Sequence, residues 1–143
     1  MKTQAQRIYL ASIGLRVALA LSFLSAVADR FGLWGAPGAA NVAWGNFPAF
    51  LDYTGLLLPM VPKGLVPIFG WMATIGEVVL ALGLLAGWRV RWFAFGSAVL
   101  LFSFAASMTV ALGVEPAFSY SVWTAGMAAV LLAAVSGAEK END

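Results

Sequence analysis

The chain has 143 residues, is 62% hydrophobic and only 10% charged, and has a mean hydropathy of +0.88. A soluble domain carries about 25% charged residues and keeps much of its surface in water, so the composition excludes an ordinary soluble fold. A net charge of +1 without any basic run excludes a nucleic-acid partner, and the absence of Cys and His excludes disulfides, thiol relays, His-ligated haem, iron–sulfur ligation and the usual zinc sites.

One membrane-embedded domain over residues 1–143 is the natural reading. The first apolar stretch runs over about residues 8–28. Lys2, Arg7, the apolar run and Ala26-Val27-Ala28 imitate a secretory signal with a small-residue cleavage site. Arg16 interrupts that run, so a retained first helix is the preferred reading. A loop over residues 29–64 follows. Its turn-rich start, Asp29 to Gly38, leads to Asn46-Phe47-Pro48, an N-cap with an early proline. Phe47, Phe50, Leu51, Thr54 and Leu58 then recur at helical spacing, which predicts a short amphipathic helix on the membrane surface.

Three more apolar stretches follow, over about 65–86, 92–114 and 118–136. At 1.5 Å per residue the second is ~33 Å long, enough for a ~30 Å hydrocarbon core. None alternates as a barrel strand does. The predicted fold is all-α: an integral membrane four-helix bundle with a long outer loop carrying a short interfacial helix. With an even number of spans, Lys2, Arg7, Arg89, Arg91 and Lys140 fall on one side, against Arg30 and Lys63 on the other. That asymmetry predicts an inner (plasma) membrane protein with both termini cytoplasmic and the 29–64 loop and a turn at Glu115-Pro116 outside. Trp88 and Trp92 then mark the inner interface, and Trp71 and Trp123 the outer one.

Arg16 and Glu77 are lone charges inside these stretches. An ionised group in hydrocarbon costs ~2.5–3.5 kcal/mol on insertion scales and survives when paired, hydrated or bound to a ligand. Arg16 lies ~12 Å from the cytoplasmic end of its span and Glu77 ~13–14 Å from that of its own, which predicts an Arg16–Glu77 ion pair. The pair either fixes helix register or forms a ligand, proton or quinone-headgroup site.

Gly70, Thr74, Glu77 and Ala81 form an inward stripe on the second span, which makes Thr74 a member of this polar centre. Ser103 and Ser107 are candidate partners from the third span, the alternative being a bond to their own preceding turn. Asp29 reads either as a solvated helix terminus beside Arg30 or as the rim of an outward pocket, with Trp44 and Trp71 as further rim residues. No metal site is expected.

Arg16, Glu77 followed by Leu80-Ala81-Leu82-Gly83-Leu84-Leu85, the basic turn at Arg89 and Arg91, the segment Ala28 to Gly35 and the unequal loops together resemble the DoxX family of small four-helix bacterial membrane proteins. The resemblance covers roughly the whole chain. It implies an accessory subunit of a membrane redox system, with a quinone or small apolar molecule as ligand and Arg16 and Glu77 as the buried polar centre. The chain supplies no redox centre of its own, so catalysis is left open. A non-catalytic scaffold is the alternative, a small-solute conduit a weaker one. Membrane lipid is one expected partner; another subunit or a second copy of the chain is compatible with this reading.

Overall fold

A computed structural model describes residues 3–138. The helices are α1 (Gln4–Arg30), α2 (Phe47–Leu57), α3 (Val66–Ala86), α4 (Val90–Leu112), α5 (Val114–Ser119) and α6 (Val122–Ala138), with a 3₁₀ turn at Lys63–Leu65 before α3. Among the described residues there is no strand. Lys2 and Lys140, used above for orientation, and the tail acids Glu139, Glu141 and Asp143 lie outside the described residues.

Three helical segments, Gln4–Arg30, Lys63–Ala86 and Val90–Leu112, are long and apolar enough to cross a membrane. α6 is apolar but shorter, at 17 residues. Packed pairs run α1–α3, α3–α4, α4–α6 and α6–α1, which closes a ring of four. Leu19, Ala20 and Phe23 of α1 meet Ala81 and Leu84 of α3, Ala94, Ala98 and Leu101 of α4, and Ala129 and Leu132 of α6 in one core. Half of that core is alanine, while Ile75, Val79, Leu82, Phe95, Val99, Met127 and Leu131 point outward. Large apolar side chains outside and small ones inside is the distribution a hydrocarbon solvent favours.

Glycines let the helices close. Phe93 of α4 fills the space beside Gly83 of α3, Leu51 of α2 that beside Gly70, and Phe102 of α4 that beside Gly126 of α6. α2 thereby lies across the start of α3, with Phe50 and Thr54 buried. Burial pushes the Tyr53 phenol of α2 up, with Tyr120 adding to the effect, so it remains an O–H at neutral pH.

Two boundaries differ from the sequence expectation. α1 spans 27 residues because Thr3 and Gln6 form a capping box before the apolar run, and because Asp29 and Arg30 are still helical. The expected turn at Glu115-Pro116 is instead the six-residue α5, which accommodates Pro116 in its first turn, where no intrahelical N–H bond is lost. The break falls later, at Ser121 with φ 56°, so α6 begins at Val122 rather than at residue 118.

Gly126→Leu drives a side chain into Phe102 and is expected to destabilise the α4–α6 pair by about 1–3 kcal/mol. Thermal unfolding followed by helical circular dichroism in detergent should show a lower Tm than wild type.

Candidate functional site

The polar centre forms at the C-terminal end of α1. In a helix the Cα–Cβ bonds tilt toward the N-terminus, so a long side chain at the end of α1 turns back into the bundle. Arg30 does this and is only 2% exposed. α3 runs antiparallel to α1, so the Glu77 side chain tilts toward the same end, and its carboxylate Oε2 forms an ion pair with Arg30 Nη1. Arg30 Nη1 also donates to Thr74 Oγ1 at 2.8 Å, and Thr74 Oγ1 donates to the Gly70 carbonyl at 2.8 Å. The guanidinium carbon lies 3.8 Å from the Phe50 ring centroid and 5.4 Å from that of Trp44. Among the described residues Arg30 Nε has no hydrogen-bond partner, so the guanidinium is held through Nη1, by Glu77 and Thr74, and by its aromatic roof.

Glu77 therefore pairs with Arg30, not with Arg16. The same tilt that brings Arg30 toward Glu77 carries Arg16 away from it. Arg16 Nε donates to the Leu84 carbonyl at 2.9 Å, and a methyl at Gly87 would stand 2.5 Å from Arg16 Nη2. It caps the C-terminal turn of α3, where exposed carbonyls and the helix dipole favour a cation.

Asp29 is not a solvated terminus either. It is 5% exposed, and its carboxylate accepts the backbone N–H groups of Ala43 (2.8 Å), Trp44 (2.7 Å) and Gly45 (2.9 Å). This nest folds the 31–46 segment back onto α1. It requires Gly45 at φ 75°, where any Cβ would collide with the Pro37 backbone. The Trp34 indole N–H adds a second tie, donating to the Ser25 carbonyl at 3.0 Å and to Ser25 Oγ at 3.1 Å. Adjacent residues thus do separate work: Asp29 holds the loop, and Arg30 holds α3 and α2.

Beside this clamp lies an open groove of about 520 Å³ between the last turns of α1 and the loop. Asp29 and Trp44 line it, as expected of rim residues, together with Ser22, Ser25, Trp34 and Asn41. Trp71 does not line it; it packs outside with Phe47 at 4.4 Å and Phe31 at 6.3 Å. Ser103 is exposed and donates to the Val99 carbonyl of its own helix at 2.8 Å. Ser107 makes no hydrogen bond to Arg30 or Glu77, so of the expected partners only Thr74 joins the centre. Among the described residues no group of carboxylates could hold a metal ion.

These features define a class, an all-helical protein with apolar helices of membrane-spanning length and a buried ion pair at one end. Among family models, curated proteins and solved structures, none matches this chain.

Breaking a buried pair strands the remaining charge, which costs about 3–5 kcal/mol, whereas replacing both partners with apolar groups is often neutral. Arg30→Met and Glu77→Met are each expected to lower stability strongly, and the double substitution to recover most of the loss. Arg16→Met should cost less and should be additive with Glu77→Met. Denaturation of all five variants in one detergent measures the two couplings.

Proposed function

We propose that the chain is a DoxX-like four-span inner-membrane protein, with both termini cytoplasmic, that binds a small lipid-soluble molecule of the quinone class as an accessory subunit of a membrane redox system. The observation that carries this reading is the groove beside the clamp. Its volume of about 520 Å³ falls within the range of small-molecule sites. Trp34, Trp44 and the alanines give it an aromatic and apolar lining, while Asn41 and Ser25 bring an amide and a hydroxyl that can donate to a ring carbonyl. Trp44 lines the groove and also lies 5.4 Å from the Arg30 guanidinium, so occupancy would be felt at the ion pair.

A second reading, a non-catalytic scaffold, is favoured by the sealing of the Arg30–Glu77 pair, whose side chains are 2% and 3% exposed. In that case the pair sets helix register and the groove is an incidental recess in the loop packing.

Titration of the protein in lipid nanodiscs with a short-chain ubiquinone analogue, read by tryptophan fluorescence, distinguishes the two. Saturable quenching is expected, weakened roughly tenfold in Ser25→Ala/Asn41→Ala through loss of two hydrogen bonds. Quenching that never saturates, or that is identical in the variant, favours the scaffold.

A further inference from the structure

The end of the bundle remote from the groove carries a different chemistry. The α3–α4 turn reads Trp88-Arg89-Val90-Arg91-Trp92. Arg89 holds a left-handed backbone at φ 48° and ψ 42°, a conformation in which a Cβ crowds the following carbonyl. Its guanidinium carbon lies 4.9 Å from the Trp88 ring centroid, and that of Arg91 lies 6.0 Å from the Trp92 ring centroid. The Arg91 stem is fixed against α6, because a methyl at Gly137 would stand 3.2 Å from its Cδ. From the other side, the Arg16 guanidinium reaches the turn at Gly87. Three arginines thus belong to this end: Arg89 in the turn, Arg16 of α1 reaching it at Gly87, and Arg91 of α4 lying against Gly137 of α6.

Nothing acidic among the described residues balances them. Asp29, Asp52 and Glu115 lie at the opposite end, and Glu77 is held by Arg30. Both indoles are open, Trp88 at 66% and Trp92 at 65% exposure. An amphipathic indole favours the boundary between headgroup and acyl chain, and each guanidinium offers paired donors to phosphate oxygens. A cation cluster bordered by interfacial tryptophans matches a ligand with a phosphate anion above and hydrocarbon below.

We infer that the α3–α4 turn, through Arg89 and Arg91 with Arg16 behind them and Trp88 and Trp92 at its sides, is a binding site for the headgroup of an anionic phospholipid. Arg16 is committed to capping α3 by its Nε, so Arg89 and Arg91 carry the discrimination between anionic and zwitterionic lipid. This site is independent of the groove, and its test does not depend on a quinone.

The full-length protein, purified in mild detergent, is incubated with equimolar phosphatidylglycerol and phosphatidylcholine, and bound lipid is counted by native mass spectrometry. Wild type is expected to retain phosphatidylglycerol preferentially, and Arg89→Gln/Arg91→Gln to lose roughly tenfold of that preference. Leu33→Ala, an exposed residue at the other end, should leave the preference unchanged. A second measurement needs no substitution: the wild-type preference should collapse in ~1 M salt, where charges are screened within ~3 Å. Equal retention of both lipids, or a preference intact in the double variant or at high salt, overturns the site. Displacement of the lipid by millimolar inorganic phosphate overturns the lipid assignment and identifies a free-oxyanion site.

Discussion

The arrangement of this protein depends on a guanidinium and a carboxylate that have left water together. Arg30 at the end of α1 and Glu77 within α3 neutralise one another, and each would be costly alone in an apolar interior. The pair dictates more than the α1–α3 contact. Thr74 accepts from the same guanidinium, and Phe50 and Trp44 cover it, so α2 and the loop are positioned by a side chain of α1. Asp29, one residue earlier, gathers three backbone N–H groups and fixes the strand of loop that forms the far wall of the groove. Two consecutive residues thereby convert a stack of apolar helices, whose packing alone is weakly directional in hydrocarbon, into one defined geometry at the loop end.

The two ends of the bundle are built by contrasting rules. At the loop end, charges are buried, matched and sealed under aromatic rings. At the other end, Arg89 and Arg91 are exposed and Arg16 half-buried, and none has an acidic partner among the described residues. Between the two ends the interior is small and apolar, with Ala20, Ala81, Ala94 and Ala129 fully buried where the helices approach. Such a molecule can present a small-molecule recess on one side and a phosphate-seeking surface on the other without either disturbing the packing between them.

Much of the helix pattern was legible from hydropathy and period, because both follow from local chemistry. The stripe Gly70, Thr74, Glu77 and Ala81 is buried as its spacing requires. The identity of the partner of Glu77 was not found by matching depths. Ending the first helix near residue 28 removed Arg30 from it, and counting residues along an axis ignores the tilt of side chains toward the helix N-terminus. That tilt was a usable signal, since on antiparallel helices it makes Arg30 and Glu77 converge and Arg16 and Glu77 diverge. The nest around Asp29 had no signal of this kind, because backbone N–H groups carry no residue identity. The short α5 was hidden for a different reason: Glu115-Pro116 reads as a turn, yet proline is equally at home in the first turn of a helix, and the left-handed backbone at Ser121 that makes the real break leaves no mark in the residue pattern.

The most direct measurement is a magnetic-resonance distance in a lipid-embedded sample. Dephasing of the Glu77 side-chain carboxylate ¹³C by guanidino ¹⁵N reports an arginine within a few ångströms. The dephasing should persist when Arg16 is replaced by lysine and disappear when Arg30 is. Persistence in Arg30→Lys with loss in Arg16→Lys would show that the pair lies elsewhere and would contradict this account.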